Sequence, residues 1–256
     1  MNAAIRRSLV AACVLLPLAA GAQGPPPGPP EPPKNLKFFP KDIPREQLIA
    51  NMRRFTQVLG LRCNDCHVVS NPGEMPERLD FAADDKDRKK VARVMLNMVR
   101  DINDKYLAET GRTFTPRTRV TCETCHHGMS KPRTMVAELM DALEAKGADS
   151  AVARYKELRE KTFGRAMYDF GEFSLPMVAD EAVRSQRPDD AMRFLQLNLE
   201  FYPQSMVTYT AMAQGQAQRG DTTSAIATLN KALEIMPNNG QVRRMLSMLK
   251  GERPRQ

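Results

Sequence analysis

Two pentapeptides hold most of the residues in this sequence that could do chemistry: Cys63-Asn64-Asp65-Cys66-His67 and Cys122-Glu123-Thr124-Cys125-His126. The 256 residues include only five cysteines and three histidines, and all but Cys13 lie in these pentapeptides or, as His127 does, directly after one. Two thiols three positions apart share one helical turn, so each can form a thioether to the edge of the same porphyrin. An imidazole in the next position then lies under the ring with Nε2 directed at the iron. The spacing predicts two haem c groups, one on Cys63 and Cys66 and one on Cys122 and Cys125. His67 and His126 are the expected proximal iron ligands.

Other chemistries fit the same residues less well. One tetrahedral zinc site built from both Cys-x-x-Cys pairs leaves the adjacent histidines unexplained. A redox-active dithiol needs a thioredoxin-like α/β unit, and no strand pattern stands out. A disulfide-stapled fold is disfavoured because every cysteine after Cys13 is committed to a pair. Ser-His-Asp catalysis lacks a histidine outside the two segments to act as base. The formal charge of +8 invites a nucleic-acid reading. However, Arg88-Lys89-Lys90 is the longest basic run, aromatics are 6% and Trp is absent, so no base-stacking platform is expected.

The elements that must position the two segments read as helices. From Asp42, the expected N-cap, Leu48, Met52, Phe55 and Leu59 recur at helical spacing, and Gly60 stops the helix just before Cys63. A loop through Asn71-Pro72-Gly73 and Met75-Pro76 leads to a long helix from about Asp84 to Thr110, with Val91, Met95, Met98 and Ile102 on one face. The basic loop Arg112–Arg119 precedes Cys122. After Pro132 come amphipathic helices, Thr134–Lys146 and Ser150–Phe163, joined near Gly147. Ala191, Leu195, Leu199 and Pro203 are matched 34 residues later by Ala225, Leu229, Leu233 and Pro237, the period of tetratricopeptide helix pairs. Gln241–Lys250 closes the array as a capping helix. The expected fold is all-α: a small dihaem cytochrome unit followed by tetratricopeptide-like hairpins.

Residues 1–22 carry Arg6, Arg7, the apolar run Leu9–Ala20 and small residues up to Ala22, the pattern of a signal peptide cut after Ala22. The run is too short to span a bilayer. Lipid anchoring at Cys13 is disfavoured because the apolar run continues past it. Residues 23–41 form a proline-rich arm with a polyproline-type stretch, 42–133 the expected cytochrome unit, and 134–252 the repeat unit. The expected compartment is the periplasm.

Each haem iron has one position beyond the porphyrin and the proximal histidine. His127 follows His126 directly and does not reach the opposite face of the same ring, which leaves methionine, another residue or an open position. Met52 is the only methionine on the helix entering the first segment, where it fits core filling as well as ligation. Met95 and Met98 share a face, so spacing does not separate them.

Lys34–Gly128 resembles the photosynthetic reaction-centre cytochrome c subunit family. The resemblance runs from Met52 through Leu59-Gly60-Leu61-Arg62-Cys63 to His67, from Ala92 through Met95-Leu96-Asn97-Met98 to Ile102-Asn103, and from Val120-Thr121-Cys122 to His126-His127-Gly128. Members pair a methionine-bearing helix with each Cys-x-x-Cys-His segment. This implies Met52 as sixth ligand of the first iron and Met95, with Met98 as the alternative, for the second. Well-known members carry four such segments, whereas this chain has two and then turns to helical repeats.

The expected function is that of an exported carrier of single electrons between periplasmic redox proteins, a membrane-bound redox complex among them, with the repeats as a docking surface. Methionine ligation favours ferrous iron and raises the potential relative to two histidines. Arg62, Arg119 and Lys131 flank the segments and could pair with haem propionates, which would cancel much of the positive charge. A dihaem peroxidase would need an open iron and acid–base groups beside it, for which no histidine is spare. A repeat-based scaffold with accessory haem is the other alternative.

Overall fold

Pro44 sets the first boundary. It has no amide hydrogen, disfavours helical backbone in the residue before it and is itself outside the helix at φ −56°, ψ 135°, so α1 begins immediately after it and spans Arg45–Leu59. Asp42 therefore sits too early to cap the helix and is exposed, contrary to expectation. Gly60 ends α1 as expected, in the left-handed region at φ 61°, with the Leu61 amide closing back on the Thr56 carbonyl at 3.0 Å. The computed structural model describes residues 32–112, 115 and 118–252. The expected signal peptide, Cys13 and most of the proline-rich arm lie outside the described residues, as does part of the basic loop before Cys122.

Helix α2, Cys63–Cys66, is a single turn. It leads into a two-residue ladder that the sequence did not announce. Strand β1, Val68–Val69, pairs antiparallel with β2, Leu79–Asp80, with Val68 opposite Asp80. Two strands this short leave no alternating pattern to read. Asn71 closes the connecting loop, donating to the Pro76 carbonyl at 3.1 Å and accepting from the Arg78 amide at 2.5 Å.

Helix α3, Asp87–Asp101, continues without a break through a π-helical turn, Ile102–Tyr106, into α4, Leu107–Glu109. The long expected helix is thus present, but it starts later and changes pitch near its end. Asp84 stays outside it as an ion-pair hub for Lys37 at 2.7 Å, Arg93 at 2.9 Å and Lys89 at 3.0 Å. The change of pitch falls where the Asn103 side chain donates to the Val99 carbonyl at 2.8 Å, the acceptor that the Asn103 amide would use in an α-helix. Helix α5, Cys122–His126, is again a single short turn.

The remaining helices are α6 Met135–Lys146, α7 Ala148–Thr162, α8 Ser174–Arg184, α9 Pro188–Phe201, α10 Met206–Gln218, α11 Thr222–Ile235 and α12 Gly240–Leu249. Thr134, Ser205, Asp221 and Asn239 cap four of them through side-chain oxygens. The repeated positions fall on α9 and α11, where Ala191, Leu195, Ala225 and Leu229 are buried. Helix α8, which no sequence pattern had marked, packs on α9, and α6 packs on both α7 and α8. One core centres on Leu139, Tyr155, Leu175, Phe194 and Leu197, and a second, under α10 to α12, on Tyr209, Leu229 and Val242. The chain is all-α, with one minimal β-ladder among the described residues.

Candidate haem-binding site

Each Cys-x-x-Cys pair lies on one helical turn held by bonds from the same sequence offsets. In α2 the Asp65 amide donates to the Arg62 carbonyl at 3.1 Å, and Asp65 Oδ2 accepts from the Arg62 amide at 2.8 Å. In α5 the Thr124 amide donates to the Thr121 carbonyl at 3.1 Å, and Thr124 Oγ1 accepts from the Thr121 amide at 3.0 Å. The residue before the second cysteine therefore closes the turn in both segments. Cys63, Cys66, Cys122 and Cys125 are free thiols. Burial pushes the Cys66 and Cys122 thiols up from their ordinary value. Among the described residues no three His, Cys, Asp or Glu side chains converge.

The two turns are tied together through α1 and α3. The Gly128 amide donates to the Val58 carbonyl at 2.8 Å, and a Cβ on Gly60 would stand 2.3 Å from the Gly128 oxygen. Only glycine admits that approach, and its position just ahead of Cys63 fixes the entry to the first turn against the exit from the second. Helix α1 packs on α5, Arg54 pairing with Glu123 at 3.7 Å, and Ala50, Arg54, Gln57 and Val58 line a cavity beside Glu123 and His127. Met52 lies on the other face of α1. At the start of α3, Arg88 pairs with Asp65 at 2.6 Å. At its far end, Asn103 exchanges bonds of 2.8 and 2.9 Å with the Val120 carbonyl and amide, just before Cys122. Helix α3 thus spans from one segment to the other, carrying Met95 and Met98 between them.

The histidines sit differently. His67 leaves α2 in extended conformation, its ring 5.0 Å from that of Phe81, and its buried Nδ1 has no hydrogen-bond partner among the described residues. Burial, with Lys89 and Arg93 facing it, holds His67 below its ordinary value, so the imidazole is neutral at pH 7. His126 remains within α5, and its Nδ1 lies 2.7 Å from the Met129 carbonyl. A proton on Nδ1 makes that bond and leaves Nε2 free for iron.

Residues 32–134 bury only Ile43 and Val58 among the described side chains, whereas 135–252 contain both cores. The expected apolar face of α3 is present but uncovered, with Val91, Met95 and Met98 at 53%, 37% and 45% exposure. Ile49 and Phe81 are exposed as well. Paired thiols, an imidazole after each pair and exposed apolar residues on α3 fit a large planar apolar group held by thioethers and one nitrogen ligand. These residues suit haem c.

The profile of the photosynthetic reaction centre cytochrome C subunit family matches residues 34–214. The chain belongs to the photosynthetic reaction centre cytochrome C subunit family. Membership brings electron transfer and covalently bound haem c with it. The match runs beyond Gly128, where the resemblance in sequence ended, through α6 to α9 and into α10. No curated protein matches the chain. No helix among the described residues of this reaction-centre-type cytochrome is long and apolar enough to cross a membrane.

Several supporting groups escaped the sequence reading. The Met129 carbonyl belongs to the backbone and leaves no side-chain signal. Asn103 closed one of the matched stretches, yet its clamp on Val120 requires a contact across 17 positions. Lys89, in the basic run, donates to the carbonyls of Phe81, Ala82 and Ala83 and so holds the loop beside His67. Of the cations expected near propionates, Arg119 is paired with Asp104.

Proposed function

We propose that this member of the family is an exported dihaem cytochrome carrying single electrons between periplasmic redox partners. Cys63 and Cys66 hold one haem with His67 as proximal ligand, and Cys122 and Cys125 hold the other with His126. Met52 supplies the sixth ligand on the first side. Met95 supplies it on the second, with Met98 as its alternative. When bound, haem c supplies a one-electron ferric–ferrous couple.

The observation that carries this reading is the pairing of two like Cys-x-x-Cys turns with a segment that buries few side chains of its own and leaves Val91, Met95 and Met98 of α3 exposed. The chain's own residues then have distinct tasks. The thiols fix the edge of the group, and each imidazole orients it from one face. Met52, Leu48, Phe55 and Leu59 face away from α5, which leaves them for the first side. Val91, Met95 and Met98 exclude water from the other. The chain divides into residues 42–133, which carry the redox groups, and 134–252, whose tetratricopeptide-like hairpins dock a partner, a membrane-bound redox complex being the class that the family suggests.

The test is spectroscopic. An alkaline pyridine assay on the mature protein should return two haems c per chain, and the oxidised protein should be low-spin with a methionine–iron band at the red end of its spectrum. Met52→Ala should lower one reduction potential and leave the other in place. A resting high-spin species that binds cyanide would instead indicate an open iron and overturn the carrier reading.

A further inference from the structure

The two histidines are followed by different chain paths. After His67 come Val68 and Val69, a β-branched pair that runs extended as β1 and carries the backbone away from the ring. After His126 come His127 and Gly128, both in the left-handed region at φ 48° and 85°. That turn folds the chain back, so the Met129 carbonyl reaches His126 Nδ1 at 2.7 Å while the Met129 amide donates to the His126 carbonyl at 2.8 Å. Nothing comparable reaches His67, whose Nδ1 is buried without a partner and whose neighbour is the hydrocarbon ring of Phe81.

A ligating imidazole that donates its other N–H to a carbonyl is the more basic ligand. A more basic axial nitrogen stabilises ferric over ferrous iron and lowers the potential. From this asymmetry, and resting on the dihaem reading above, we infer that the two sides have unequal reduction potentials, with the His67 side the higher and the Met129 carbonyl as the positioning group that lowers the His126 side. Electrons entering at the His126 side then pass downhill to the His67 side. The loop Val68–Asp84 and the start of α3 therefore flank the side where the electron rests.

The order is measurable in the full mature protein. Potentiometric reduction followed by proton NMR, with the shifted haem methyl signals assigned through contacts to His67 or His126, should show the His67 side reduced first. Gly128→Ala strains the left-handed turn without a new contact, since a Cβ there meets nothing within 4 Å. It should raise only the His126 potential and narrow the separation. Reduction of the His126 side first, or of both sides together, overturns the inference. So does a Gly128→Ala protein in which the separation is unchanged or wider. If the variant does not fold, the wild-type order decides alone. A count other than two haems per chain overturns the dihaem reading with it, whereas two haems reduced in the opposite order overturn only the ordering.

Discussion

At the scale of single residues, the site depends on small groups that place larger ones. Gly60 has no Cβ, and that absence permits the contact with the Gly128 carbonyl that joins the two Cys-x-x-Cys segments. Gly60→Ala adds a methyl at φ 61° against a backbone oxygen, so the expected loss exceeds the roughly 1–2 kcal/mol of a left-handed alanine alone. Urea unfolding of the holoprotein reads this directly. Asn103 uses both ends of its amide on Val120. Asn103→Ala leaves a half-buried amide and carbonyl without partners and should cost about 1–3 kcal/mol. The same experiment checks it, and an unchanged midpoint would mean that water replaces both bonds.

At the scale of elements, α3 is the strut. Its first turn is anchored to α2 through Arg88 and Asp65, and the π turn that continues it is anchored to Val120, two residues before α5. Its N-terminal half is also fastened by Asp84. Arg93, Lys37, Asn35 and Lys89 hold the Asp84 carboxyl well below the usual carboxylate range. A carboxyl lowered in the folded state contributes stability in full above its unfolded value, about 3.9, and loses it as pH falls toward the folded value. Asp84→Asn removes that term. Its acid unfolding, followed by circular dichroism, should therefore be flatter below about pH 4 than that of the wild type, with the difference arising in this acid range.

At the scale of the whole molecule, apolar burial is unevenly divided. The helices from α6 onward carry two protein cores, while residues 32–134 bury almost nothing of their own. Substitutions in the C-terminal cores should therefore act on stability and spare the redox groups. Leu229→Ala removes a fully buried side chain under α10 to α12 and should cost about 2–5 kcal/mol, with the visible haem spectrum unchanged. Denaturant titration monitored in the far ultraviolet and at the haem absorption together would separate the two responses. A shifted haem spectrum would mean that the repeats and the redox segment fold as one unit.

The sequence by itself determined the chemistry and the helical class. Cys-x-x-Cys-His is a local arrangement within one helical turn, and apolar periodicity, capping residues and a 34-residue repeat are likewise written in consecutive positions. It also marked Gly60 as a stop, because a left-handed helix terminus needs only the local backbone. It misjudged Asp42, where the constraint of Pro44 on its predecessor outweighed capping preference, and it passed over β1, β2 and α8. What only the tertiary structure decided depends on groups distant in the chain. Gly60 meets Gly128, Asn103 meets Val120 and Arg88 meets Asp65, and none of these partners can be inferred from spacing. The two Cys-x-x-Cys-His segments read alike in one dimension. Their difference lies in the path taken after the histidine, because a left-handed turn returns a carbonyl to one imidazole and a strand carries it away from the other.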